Sequence, residues 1–583
     1  MIGEALLLVS LAGQAQEADS LLSLARELPE SALVTEAKAA PLETRESVGE
    51  ALRTGDLPAG RRLAAAYAVA WQDSFLVREV ARFSAWPPER RAAKLRADSL
   101  RREGVVAYGR EGARAAVLLW RRALDRAKAI ADTALMGALS GNIGAGFLRD
   151  GAIDSAQAYL EQGLGLARFV GDRRVEANAL VSLAAVNEDR GDLARARELY
   201  TGALALHERI GDTRGIAAGR NNLGLLAEAT GDLEEARRQY DAALLINRRH
   251  GREEFAATNL FNLAGLAARS GDFIRAERLY RDALATWRTR GASADAADAL
   301  HGLGQLELRR GDYVAARASL LEALRIYEQT GPVASELAVR RALAGALAAQ
   351  GELQAALDAL RKAELVATTG AAGEGTRAGI VLARADLAVQ LNALSEAERL
   401  YGEAQRLYRE AGDPDGEAEA RHGLGLLLLE QQAYDRATQM FESALRAQEA
   451  SGHARAAALS RLALGRVARA RGDTALAARH LGRAAAELER VGDPVALASA
   501  LGERAALAMD HGMAATSEAI YRDALARLEG RSAPDVAWRL RAGLARARRA
   551  QGAPDEAARI LRVALAEAET AGRSLALPER LSL

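Results

Sequence analysis

The 583-residue sequence contains no cysteine, which excludes disulfides, thiolate metal sites and a cysteine nucleophile. Aromatic residues make up only 4%, so the core must be filled by aliphatic side chains and alanine. No run of 18 apolar residues occurs, and no membrane-spanning helix is expected. There is no surplus of either charge: 78 basic residues balance 78 acidic ones. A general nucleic-acid binder needs an excess of cations to neutralise phosphates, so that class is set aside. Lysine is scarce (Lys38, Lys94, Lys128 and Lys362), a skew that carries no functional reading. What is present is a globular mix, 49% hydrophobic and 27% charged. At roughly 100–200 residues per domain the length suggests several domains, unless the chain is a repeat.

Glycine decides between these. It returns every twenty residues, at 151, 171, 191, 211, 231, 251, 271, 291, 311, 331 and 351. After a one-residue insertion it resumes at 412, 452, 472, 492, 512, 552 and 572, with Asn392 and Gln432 standing in at two turns. Aspartate commonly follows, as in Gly191-Asp192 and Gly472-Asp473. Glycine just past one helix and aspartate capping the next predict a helix every twenty residues. Prolines 332, 414, 494, 534 and 554 fall just after turn positions and interrupt no expected helix.

The two halves of each forty-residue unit differ. The first carries a large aliphatic followed by a small residue: Ile143-Gly144, Leu183-Ala184, Leu223-Gly224, Leu263-Ala264, Leu303-Gly304, Leu343-Ala344, Leu424-Gly425 and Leu464-Gly465. The second carries alanine, a large residue four later and a small one three beyond, as in Ala196/Tyr200/Ala203 and Ala437/Phe441/Ala444. These spacings fall on one helical face, where small residues admit a close neighbour and the large one fills the groove.

This pattern resembles the tetratricopeptide repeat (TPR) in an extended forty-residue form, with Leu-Gly in helix A and Ala…Tyr/Phe…Ala in helix B. Twelve helix-B signatures run in phase from Ala116/Trp120/Ala123 to Ala557/Leu561/Ala564, with Ser517 at one alanine position. HEAT or armadillo repeats share the period but not these alternating signatures. The resemblance implies an all-α, right-handed α-solenoid superhelix of about twelve TPR-like helix pairs, over residues 104–572. Residues 21–103 are out of register, punctuated by Pro29, Pro41, Pro58 and Pro87-Pro88, with helical segments that include Arg61–Phe83 and Glu89–Tyr108. They read as an irregular helical N-terminal cap over the end of the stack. Thr368–Gly375 reads as a longer turn, either a hinge or a tolerated insertion.

Residues 1–20 carry a short apolar run, Ala5–Ala12, followed by Gly13-Gln14-Ala15, a small-x-small pattern. With Glu4 where a signal peptide wants positive charge, the segment reads either as a signal peptide or as a first helix. Export to the periplasm and a cytoplasmic location both stay open.

A search for chemistry finds little. No glycine precedes a lysine, so the P-loop signature is missing, and Gly141–Gly146 lies within a helix A. The nucleophile elbow is missing too. The seven histidines (207, 250, 301, 422, 453, 480 and 511) form no metal-ligating motif. The chain is expected to be no enzyme and to need no cofactor or metal. The arginine-rich stretch Trp538–Arg549 reads as a solvated helix face, or as a contact for an acidic partner.

Binding remains. In such repeats helix A lines the concave surface, and positions just before Leu-Gly project into it. Here these are Asn142, Asn221, Asn222, Asn262, His301, Arg341 and His422. Asparagine offers both donors and an acceptor, so a ladder of them suits an extended peptide backbone; the resemblance implies that use. The same positions also read as plain polar helix surface. His301-Gly302-Leu303-Gly304 recurs as His422-Gly423-Leu424-Gly425, which reads as repeat duplication. The implied function is a scaffold for a protein or peptide partner.

The order of segments, ending in Ala566–Leu583 with Leu575–Arg580 (LALPER) in a linker at 573–583, is also similar to the front part of bacterial TPR–CHAT proteins. That likeness implies a regulatory, partner-sensing portion ahead of a caspase-like protease domain. The catalysis of that domain needs a His–Cys dyad, and no cysteine is present to supply it.

Overall fold

The computed structural model describes residues 21–570, apart from 292, 371 and 530–532. The expected segments 1–20 and 573–583, including Leu575–Arg580, lie outside the described residues. Every element described is an α-helix, and from Pro88 to Thr570 helices A and B alternate twelve times. Among the described residues no helix is long and apolar enough to cross a membrane. The chain divides into two compact units between Leu263 and Ala264.

The turns form as the glycine period predicts. At Gly191 the backbone adopts φ 80°. Its N–H donates to Glu188 O at 2.9 Å and Asp192 N–H to Asn187 O at 2.8 Å, closing off the last carbonyls of the helix. Asp192 then caps the next helix, accepting from Arg195 N at 3.0 Å. Asn392 and Gln432 take the same left-handed conformation, φ 57° and 60°. Gly331 does not: its φ is −88° and ψ 162°. Pro332 follows it, and a residue before proline is pushed into the extended region.

In the first unit, the helix Pro88–Arg110 crosses residue 103 and pairs with Ala113–Ala129 as a helix A. A Cβ on Gly104 would meet the indole of Trp120, whose Nε1 donates to Arg101 O at 3.0 Å. The same separation of sixteen residues recurs at Gly224, where a Cβ would sit 2.5 Å from the Tyr240 ring. Glycine in helix A is thus the seat of the large helix-B residue.

Ahead of the repeat come the helices Glu30–Ala39, Pro41–Thr54, Leu57–Trp71 and Phe75–Ala85. They lie along the turns that lead from helix B to the next helix A. Arg82 meets Asp132 at 2.8 Å, Arg78 donates to Val170 O at 2.9 Å, and Arg45 meets Asp172 at 2.9 Å with both side chains 9% exposed. Trp71 packs over Gly211, one turn further on. The expected helical segment Arg61–Phe83 is broken at Gln72–Ser74. There Gln72 turns left-handed, and Asp73 Oδ1 accepts from Phe75 N at 2.9 Å to start a new helix.

In the second unit the packing repeats, and it explains both glycines of the recurring His-Gly-Leu-Gly. Gly304 seats Leu320 and Gly425 seats Phe441 of their own pairs. Gly302 and Gly423 seat Tyr280 and Tyr401 of the preceding helix B, so each motif is gripped from two sides. Ser517, in place of alanine, is fully buried and donates to Ala505 O at 2.8 Å. The stretch Thr368–Gly375 contains the turn between Leu353–Thr369 and Glu374–Gln390, as its composition predicts.

Candidate functional site

The seven residues singled out in the sequence fall on two adjacent registers of helix A. Asn142, Asn222 and Asn262 share one; Asn221, His301, Arg341 and His422 share the other.

In the first unit, Asn142 is half-buried. Asn222 is only 3% exposed, and its Nδ2 has no hydrogen-bond partner. Asn221 and Asn262 come together: Asn262 Nδ2 donates to Asn221 Oδ1 at 2.9 Å. Two asparagines that sequence reasoning missed complete the group. Asn259 Nδ2 donates to the same Asn221 oxygen at 3.0 Å, and Asn247 Nδ2 donates to Asn259 Oδ1 at 2.9 Å. Asn247 and Asn259 are 4% and 2% exposed, so a buried amide chain fixes the half-buried Asn221. With its oxygen taken, Asn221 presents its two N–H donors.

In the second unit, His301 is half-buried, and Gln305 Nε2 lies 2.9 Å from its Nε2. Burial, and then Arg341, holds its pKa below the ordinary histidine range. Arg341 itself is exposed, with Nη1 close to Gly379. His422 packs edge-on against Phe441, ring centroids 5.4 Å apart. Its Nδ1 meets Ser460 Oγ at 3.0 Å, and Ser460 Oγ donates to Gln448 Oε1 at 2.8 Å. Burial, reinforced by Arg466, pushes the His422 pKa down to about 4, so the ring is neutral at physiological pH.

These two groups occupy equivalent places. Asn247–Asn259–Asn221 and Gln448–Ser460–His422 each run from the last turn of a helix B, through the following helix A, to the preceding one. In both, the bonded partners are 12 and 38 residues apart. At the other positions of this helix-B register stand Ala127, Ala167, His207, Trp287, Tyr327, Ala367, Tyr408, Leu488, Leu528 and Ala568. The signal that sequence reading passed over was an amide, Asn247 or Gln448, in a buried register otherwise rich in rings and aliphatics.

Among the described residues no group of three or more His, Asp or Glu side chains is arranged to hold a metal ion. What both triads do chemically is fix a half-buried side chain and leave one polar group without a protein partner: the donor of Asn221 and, with Nδ1–H engaged by Ser460, the acceptor Nε2 of His422.

Residues 212–373 match the family model described as the MalT-like TPR region. No curated protein matches the chain. Among solved structures, a tetratricopeptide repeat protein from Parabacteroides merdae is 24% identical, covering 48% of this chain and 94% of that one, with TM-score 0.33. The apo form of RapI is 16% identical over 47% of this chain and 98% of its own, with TM-score 0.40. The Cut9–Hcn1 hetero-tetramer of APC/C is 17% identical over 81% and 87%, with TM-score 0.44. With paired helices and small-on-large packing at a fixed spacing, the chain is built as a TPR-like helical repeat, and its residues 212–373 resemble the MalT-like TPR region.

Proposed function

We propose that the chain is a non-catalytic interaction scaffold that binds a protein or peptide partner along its helix-A faces. Asn142, Asn221, Asn262, His301, Arg341 and His422 would be its contact residues; Asn222, expected among them from the sequence, is buried at 3% exposure and out of a partner's reach. The observation that carries this reading is the pair of equivalent triads. Each ties a half-buried helix-A side chain to buried partners and leaves that side chain's remaining polar group without a protein partner. Pre-oriented polar atoms bind a backbone at lower entropic cost than free side chains do.

The cysteine-free sequence makes the test direct. A single Asn262→Cys or Arg341→Cys variant of the full chain carries one thiol, to which a benzophenone crosslinker is attached. Arg238→Cys, on an exposed position of a helix B, is the control. The scaffold reading expects partner crosslinks from the helix-A positions and not from Arg238→Cys. Equal yields from all three, or none from helix A, would overturn it.

A further inference from the structure

The second triad borders a cleft of about 480 Å³ between the helices Pro414–Glu430 and Ala454–Ala470. Tyr408 and Gln448, from the last turns of the helices B that precede them, complete its wall. Gln448 is 6% exposed; its Oε1 is taken by Ser460, and its Nε2 bonds to no protein group. His422 also lines the cleft, its Nδ1 taken by Ser460 and its Nε2 unused. Because Ser460 donates to Gln448, its oxygen accepts from His422 Nδ1–H, which fixes the tautomer with a bare lone pair on Nε2. One donor and one acceptor on the wall of the same cleft match the C=O and N–H of a peptide main chain.

The charges on the wall lean one way. Asp413, Asp415 and Glu419 line it. Asp413 Oδ1 accepts from the N–H groups of Asp415 and Gly416, and Asp415 Oδ1 meets His453 Nδ1 at 2.9 Å. Glu419 is exposed and in no ion pair. The lining guanidinium, Arg455, is held by Asp493 at 2.6 Å. Two more arginines flank the wall: Arg466, held by Glu503 at 2.8 Å, and Arg341 beyond Tyr408. A free carboxylate beside a main-chain reader selects a basic residue.

We propose that this cleft takes a basic peptide segment, with Gln448 and His422 bridging its main-chain amide and Glu419 receiving a lysine or arginine side chain. The inference rests on the scaffold reading and narrows it to one class of partner.

The test uses the full chain and three fluorescein-labelled nonapeptides, alternating Lys/Ala, Glu/Ala or Ser/Ala, followed by fluorescence polarisation. The lysine peptide is expected to bind at least about tenfold tighter than the other two, a gap of about 1.4 kcal/mol. Glu419→Gln and His422→Leu should each weaken it by about tenfold. Glu398→Gln, which removes a charge paired to Arg436 outside the cleft, should not. Circular dichroism checks that each variant keeps its helicity. A lysine peptide that binds no tighter than the serine peptide, or that fails to bind, overturns the proposal. So does a lysine peptide indifferent to both cleft variants. Helix-A crosslinking alongside any of these results keeps the scaffold reading and sinks only the basic-peptide cleft.

Discussion

Lys94 Nζ lies 3.0 Å from Asp132 Oδ2, and the Asp132 side chain has no exposure to solvent. Asp98 and Glu79 complete the shell of the ammonium at 3.2 and 3.5 Å, and Arg82 takes the other oxygen of Asp132 at 2.8 Å. Burial works against the Lys94 charge, but Asp98, Asp132 and Glu79 outweigh it, and its pKa is held above the ordinary value. One of only four lysines therefore joins the first helix A to the N-terminal helices and to the next turn. Lys94→Met leaves Asp132 and Glu79 to Arg82 alone and Asp98 to Arg101 at 3.7 Å, and should cost about 3–5 kcal/mol in urea denaturation. A loss below about 1 kcal/mol would mean that Arg82 alone satisfies Asp132.

Glycines within the helices divide into seats, such as Gly224 of a helix A, and bystanders, such as Gly165 of a helix B. A Cβ on Gly224 would press into the Tyr240 ring, whereas a Cβ on Gly165, in the helix Ile153–Val170, meets nothing within 4 Å. Gly165→Ala should stabilise by up to about 1 kcal/mol through helix propensity alone. Gly224→Ala gains the same propensity but overpacks, for a net loss of about 1–3 kcal/mol. Thermal melts of the two variants should move in opposite directions, and parallel shifts would refute the seating role.

The repeat was legible because its signals are local and periodic: turn glycines, aspartate caps, and small and large residues four and three apart. The stand-ins Asn392 and Gln432 were readable for the same reason. The route of the N-terminal helices was not, since Arg45 and Asp172 are separated by 127 residues and share no period. The triads hid differently. Asn221 and His422, or Asn259 and Ser460, are chemically unlike, and only their common register shows that they answer one another. Gly302 and Gly423 passed unassigned because each packs on the preceding pair rather than its own.

Gln432 closes its helix at φ 60°, a conformation that glycine adopts without the penalty a side chain brings. It is also exposed, so nothing else is lost on replacing it. Gln432→Gly should raise the stability by about 1 kcal/mol, read from the urea midpoint. Gly472→Ala, at φ 80° with open space around it, should lower it by a similar amount.

His422 gives the second unit an acid sensitivity that can be isolated. Its pKa is pushed from the ordinary 6.5 down to about 4 by burial and by Arg466. Below about pH 6.5 the unfolded chain takes up a proton that the folded chain refuses, so stability falls as the pH drops and levels off below about 4. At about 1.4 kcal/mol per pH unit, the whole effect is about 3 kcal/mol. It should appear as the difference between the parent chain and His422→Gln, near constant above pH 7 and shrinking between pH 6.5 and 4. A difference that does not change with pH would show that the ring protonates equally in both states.

The first triad is built so that its members fail singly. Asn247 donates to Asn259 at 2.9 Å with both side chains buried, so Asn247→Leu leaves the Asn259 oxygen without that donor. Asn259→Leu strips Asn247 of its acceptor and Asn221 of one of its two donors. Each single change should cost about 1–3 kcal/mol, the penalty for a buried polar group left unmatched. The double variant removes both buried amides, leaving Asn221 with Asn262 alone, and should cost less than the two singles combined by about 1 kcal/mol or more. Equilibrium unfolding of the four proteins closes the cycle. Strict additivity would mean that Asn247 and Asn259 pack side by side without depending on each other, and that the anchoring of Asn221 does not run through them.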